Sequence, residues 1–578
     1  MVESSNPLTV SGKEGLPSSN AEPKSCGLNS PLAPAVTLLP VLLEGCGGGG
    51  STPGDALSTI PPSGSSQSPV VISDADASRF LAQGSMGATT TDIASVKALG
   101  FQGWLNAQFE LPVTQSRWDA LRTGGFDDPL NRNTENGFDA TVWRKMLGSP
   151  DSLRQRITLA LSEIMVAAID GLVGGGWKAF AAAAYFDLLE ANAFGNYRTL
   201  LGQLSTSAPM GMYLTFRGNV KFNPATGALP DENYAREIMQ LFSIGLVQLN
   251  LDGTPKLVNG VAVDTYALDD ITGLARIFTG WDFDLAGKDT STPDFLQWPM
   301  IQIASRHETG ASTFLGATVP AGLNGADSLK VALDIIFGHP NVAPFVSRQL
   351  IQKLVTSNPS PAYVSRVATV FKNDGAGVAG NLKAVISAIL LDSEARKADT
   401  TSTSAGKMRE PILRLANWAR AFSASSPSDA WKIGNTSDPA SRLGQSPGRS
   451  PTVFNFFRPG YSPPNSAVSA AGLVAPEFQL TNESTVVGYV NFMQRAVSAG
   501  IDDVKPNYTP LLPIADTAQA LLDQVNLLLA AGQVSAATLG QIVTAVDAMP
   551  KGTDASRLNR IFAAITLVLA APEYLVLK

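Results

Sequence analysis

Cysteine is almost missing from this sequence. The chain has 578 residues and two cysteines, Cys26 and Cys46, both within the first fifty. The sequence after Cys46 therefore excludes a disulfide framework, a thiolate zinc site and a cysteine nucleophile. Histidine is equally scarce. His307 and His339 are the whole supply, so a three-histidine metal centre is impossible. Charged residues make up 16%, against about a quarter in ordinary soluble proteins. The formal charge is −7, with no long basic run. That argues against a nucleic-acid partner, because phosphate binding needs clustered Lys and Arg. There is no P-loop motif or HExxH. GAGVAG at 375–380 lies between two helical runs and GQSPG at 444–448 in a Gly/Pro-rich loop, so neither has the strand-to-helix setting of a dinucleotide fingerprint or a serine elbow. No nucleotide or thiolate-metal cofactor is expected, and other metal content stays open.

What is present is largely apolar. Hydrophobic residues reach 44%, enough for a large core, and the length admits roughly two to four ordinary domains. Residues 1–30 are polar and without periodicity. The apolar run 31–43 is too short to span a bilayer but fits the core of a signal peptide. It leads into Leu43, Glu44, Gly45 and Cys46, an arrangement similar to a bacterial lipobox. Glu44 departs from that pattern, and the positive region before the run is poor, since Lys13 and Lys24 stand among acids. The competing reading is a floppy N-terminus with a chance cysteine. The expectation is a leader over 1–46 lipidated at Cys46, a Gly/Ser/Pro-rich tether over 47–72, and a mainly helical domain over 73–578. Such a protein is exported, periplasmic or held at the outer membrane, and meets lipid only through its anchor.

Helical spacing dominates the rest. SPDSLRQRITLALSEIMVAA keeps Leu153, Ile157, Leu161 and Ile164 in phase, with Ser149 or Asp151 as cap. The chain is organised around PDENYAREIMQLFSIG, residues 230–245. There Pro230 ends what precedes, Asp231 suits an N-cap, and Gly245 is a natural stop. Tyr234, Ile238, Leu241 and Gly245 form one face; Asn233, Arg236, Glu237 and Gln240 crowd another. A small β-hairpin insertion is expected at about 247–266, from the turn signals Asp252 with Gly253 and Asn259 with Gly260. A calcium-loop reading of the same stretch lacks its first acid and its terminal Glu. RLGQSPGRSPTVFNFFRPGYSPP is rich in Gly and Pro yet aromatic, so it is expected to pack over something. The fold class is mainly α, a large multi-helix bundle-like domain with that hairpin.

DENYAREIMQLFSIG, LARIFTGW, HETGASTFLG, KMREPILRLA, LGQSPGRSPTVFNFFRPGYSPP and APEFQLTNEST together resemble the bacterial family named as the domain of unknown function 1800. The resemblance runs in order from about Ala77 to Lys578. The family pattern usually opens the central motif with Asn-Glu-Asn and carries Glu near its end; here those places hold Asp231 and Gln240. The resemblance implies an exported protein without an established activity. It also implies a gene placed beside the sulfatase-like domain of unknown function 1501 family, whose member would be the partner.

Candidate site residues follow from the polar face and the loops. Glu232 with Arg236, and Asn233 with Glu237, are spaced i,i+4. They read as surface ion pairs, as a buried polar network, or as a pocket wall. In the pocket reading Glu232, Glu237 and His307 are the acid–base groups or metal ligands, since a histidine titrates near neutrality. Asn233, Arg236, Arg449 and Arg458 are the candidate ligand or anion contacts. Arg442, Arg449 and Arg458 equally fit a tie between the aromatic loop and the acids of the central helix, and the tie is preferred. His339 reads as a turn residue and Trp281 as core. Two functions remain: an accessory envelope protein, or a hydrolase-type enzyme using Glu237 and His307.

Overall fold

The computed structural model describes residues 71–578 apart from 288, 398, 400, 401 and 403. The leader, Cys46 and nearly all of the tether lie outside these described residues.

The first described helix, Asp74–Gly84, is capped by Ser73, whose hydroxyl accepts from the Asp76 N–H. The next helix, Thr90–Glu110, is broken at Gly100, where φ is +72°. The helix Asp74–Gly84 also packs on Ala518–Ala530 near the far end of the chain, and Ser78 donates to the Leu527 carbonyl at 2.7 Å. A two-stranded antiparallel ribbon does the same job elsewhere: Lys407 pairs with Leu577 and Met408 with Val576. The C-terminal tail is thus docked as its apolar sequence predicts. One hydrophobic cluster runs through the described helices. The strands form only short two-stranded ribbons, so the domain is mainly α.

The helix Ser152–Ile164 lies at the centre, with every residue buried, its polar ones included. Its start departs from expectation. Asp151 sits at the N-cap but its side chain caps no backbone N–H; its carboxylate takes the Gln155 side-chain amide and Arg154 instead. Gln108, from another helix, accepts the Leu153 N–H at 3.1 Å. Tertiary packing has replaced the local cap.

The central helix is shorter than its motif. It runs Asn233–Gln240, one residue after the expected start, with Glu232 instead of Asp231 at the N-cap, in a helical conformation. Asp231 still serves the turn, since its carboxylate accepts the Asn233 N–H at 2.7 Å. At the other end the N–H groups of Ile244 and Gly245 both return to the Met239 carbonyl. Gly245 has φ of +71°, and a Cβ there would sit 2.6 Å from the Phe345 ring. Only glycine meets both demands. Tyr234 and Ile238 are fully buried and Leu241 partly so, as the spacing requires.

The hairpin insertion is present. Leu257–Val258 pairs with Val261–Ala262 across Asn259 and Gly260, both at positive φ, which matches a primed two-residue turn. Asp252 accepts from the Thr254 N–H and hydroxyl, so turn chemistry accounts for the calcium-like spacing.

Candidate functional site

Glu232 lies 3.0 Å from Arg236 one turn along, and its other oxygen accepts from Thr272 at 2.9 Å. The pair joins the central helix to Leu268–Ile277. Asn233 donates to the Thr215 hydroxyl at 3.3 Å. Glu237 differs: it is buried, and its Oε2 has no hydrogen-bond partner. Burial pushes its carboxyl upward, against the pull of Arg236. The buried Tyr266 hydroxyl nearby is also unpartnered, and burial pushes it up to about 12.

His307 is sealed, at 1% exposure. Its Nδ1 lies 3.0 Å from the Thr279 carbonyl oxygen and its Nε2 3.3 Å from the Ser328 hydroxyl. Burial lowers its pKa, so the neutral ring is favoured. Gly280 lets the chain pass closely, since a Cβ there would lie 3.1 Å from the His307 nitrogen. Asn219 links this corner to the central helix: its amide reaches the Asp231 and Phe278 carbonyls. Phe278 also packs edge-on to Tyr234 at 4.7 Å. The two segments are neighbours, but among the described residues no hydrogen bond or ion pair joins His307 to Glu237. His339 accepts the Asn341 N–H in its turn, and Trp281 is buried in the core.

The preferred tie of the aromatic loop needs correction. Arg449 forks onto Asp139, at 2.8 and 2.9 Å, and reaches Glu135 at 2.7 Å. These acids sit at the start of Phe138–Gly148, not on the central helix. Arg442 donates to the Ile433 carbonyl, and Arg458 is exposed, stacked over Phe454 at 4.7 Å.

Beneath that loop lies a charged cluster that sequence reading missed. Lys353 Nζ is 3.0 Å from Glu163 Oε2. Lys407 Nζ is 3.5 Å from Glu410 and 3.2 Å from Glu477, and Gln445 of the loop donates to Glu410 at 3.0 Å. All six side chains are buried. Lys353 also stands 4.1 Å over the Phe457 ring. Burial, reinforced by the Glu410 charge, pushes Glu163 up to about 8. Burial also disfavours charge on Glu410. A hydrogen bond with Glu163 and the charges of Lys407, Lys353 and Arg156 outweigh it and hold Glu410 well below the usual range. Two carboxyl groups whose environments push them in opposite directions thus stand together, flanked by Lys353 and Lys407. The gap between Glu163 and the loop residues Gln445, Ser446 and Ser450 measures only about 10 Å³, the room of about one water. A signal was available for one member: Glu163 is the one charge in ITLALSEIMVAA, residues 157–168, and a charge there must find a partner.

Among the described residues no cluster of three or more His, Cys, Asp or Glu side chains is placed to hold a metal, and no helix is long and apolar enough to cross a membrane.

A mainly helical domain, closed by a Gly/Pro-rich aromatic loop over buried ion pairs, is the class that fold and site define. The family model described as "Protein of unknown function (DUF1800)" matches residues 79–576, and the chain belongs to that family. No curated protein and no solved structure matches it.

Proposed function

We propose that this is an exported bacterial envelope protein, lipid-anchored through Cys46, that acts as an accessory to a sulfatase-like exported partner of the domain of unknown function 1501 family. The observation that supports partner docking is the β-hairpin. Leu257 and Val258 are each 61% exposed and Val261 is 69% exposed. Both faces of the hairpin are bare, and apolar surface of this kind marks a contact site. The Asn259–Gly260 turn fixes its register in advance, which limits the ordering cost of binding. Of the motif groups, by contrast, Glu232 and Arg236 pair with each other and His307 is sealed against Thr279 and Ser328. Capture of such a partner by the full chain, with and without Leu257→Asp, tests this. A hairpin variant that binds at wild-type affinity counts against it. Fatty-acid labelling that persists in Cys46→Ala removes the anchor.

One observation favours the hydrolase-type reading: the unpartnered Glu237 oxygen. In that reading Glu237 works as an acid–base group. A Glu237→Gln protein that folds, keeps its partner and loses a phenotype would favour it over the accessory role.

A further inference from the structure

We infer that a second cleft binds the tetrahedral oxyanion of a small phosphate or sulfate ester. The cleft has a volume of about 630 Å³ and is walled by Arg132, the Gly174, Gly175 and Gly176 loop, Arg217 and Phe283. That is within the range of about 300–1,000 Å³ typical of small-molecule sites.

Its chemistry is that of an anion receptor. Gly174 and Gly176 have φ of +86° and +69° on either side of Gly175. The N–H groups of all three donate to no partner among the described residues. Successive free amides around left-handed residues form a concave donor set suited to an anion. Gly175 has no room for a side chain: a Cβ would lie 3.2 Å from Met212 and from Phe283.

Charge points the same way. Asp282 is shared, with Arg217 at 3.2 Å on one oxygen and Arg306 at 3.0 Å on the other. Arg132 bonds only the Thr290 hydroxyl, at 3.3 Å, and no carboxylate lies within ion-pair distance of it among the described residues. Asp289 feels Arg132 only weakly, after Ser291 and its own neighbours. Two guanidiniums, Arg217 and Arg306, therefore share one carboxylate, and Arg132 keeps its fork free for a planar or tetrahedral oxyanion. Arg217 is stacked on Phe283 at 4.2 Å, which fixes its plane. Phe283 and the exposed Leu285 supply an apolar wall for the organic part of the ester.

Titration calorimetry on the full chain tests this with glucose 6-phosphate, glucose 6-sulfate, inorganic sulfate and glucose. The expected result is binding of both esters, weaker binding of inorganic sulfate, and none of glucose. Arg132→Gln should weaken the esters about tenfold or more, and Arg132→Lys, which keeps the charge without the fork, should fall between. Arg132 is half-exposed, so both variants should melt with the wild type; if Arg132→Gln does not fold, Arg132→Lys alone must still weaken ester binding. Failure of the esters to bind, glucose binding as well as they do, inorganic sulfate binding equally tightly, or a folded Arg132→Gln that binds like wild type would each overturn the proposal.

Discussion

Glu163 Oε2 lies 3.0 Å from Lys353 Nζ, with both side chains shut away from solvent. The two come from helices almost two hundred residues apart in sequence. The pair ties Ser152–Ile164 to Val342–Leu354, and the aromatic loop covers it through Phe457. Lys353 also supplies part of the counter-charge that keeps Glu410 ionised, so removing it leaves that buried carboxylate under-compensated, which costs about 3–5 kcal/mol. Lys353→Met is therefore expected to lower the unfolding free energy by about that much in urea titrations, while Glu163→Gln, which replaces an acid favoured in its neutral form, should cost much less.

The same acid gives a pH signature. Glu163 titrates at about 8 in the folded protein against an ordinary 4.5. The folded chain therefore keeps a proton that the unfolded chain releases. That contribution is complete below the ordinary value and disappears as pH rises through about 8. Glu410 shifts downward, so its contribution is present above its ordinary value and lost in acid. His307 and His339 are also lowered and lose stability on the acid side, so total stability mixes several groups. The difference between wild type and Glu163→Gln isolates one. It should favour the wild type most near about pH 5 and least near about pH 9.

Arg449 and Asp139 form the clasp of the aromatic loop. Both are largely buried in a two-bonded fork. Arg449→Met should destabilise the protein by about 3 kcal/mol. It should also speed amide exchange across residues 443–461 more than across Ser152–Ile164, because the loop loses its outer tie first.

His307 behaves as a structural residue in this geometry. His307→Ala removes the contacts to Thr279 and Ser328 and opens a small cavity, for an expected loss of about 2–4 kcal/mol. Thermal melts should show that loss. Partner capture by the fraction that remains folded should be unchanged.

Much of the fold was legible because local rules and packing agreed. Gly195 with Asn196 divides two helices as their spacing predicts, and Asn196 caps the second by accepting the Arg198 N–H. Gly338, His339 and Pro340 divide Gly325–Phe337 from Val342–Leu354 in the same way. The hairpin was carried by Asn259 and Gly260. Reading failed where a distant segment supplied the partner. Gln108 caps Leu153 across more than forty residues, and no local pattern reveals that. Arg449 takes carboxylate partners, but they are Asp139 and Glu135 and not the acids of the 230–245 motif, and nothing local to either segment shows that pairing. The buried cluster was missed although KMREPILRLA contains Lys407 and Glu410. Its other members, Glu163, Lys353, Gln445 and Glu477, are scattered through four further segments, and only the folded chain assembles them.

In the proposed arrangement the buried charges hold the domain together and the hairpin meets the partner. The most direct measurement is the affinity of the full chain for a sulfatase-like partner, compared at equal folded fraction for wild type, Val261→Asp and Glu163→Gln. The account predicts that Val261→Asp weakens binding about tenfold or more, as truncated apolar anchors do, and that Glu163→Gln binds like wild type. Binding lost in Glu163→Gln but intact in Val261→Asp would contradict it.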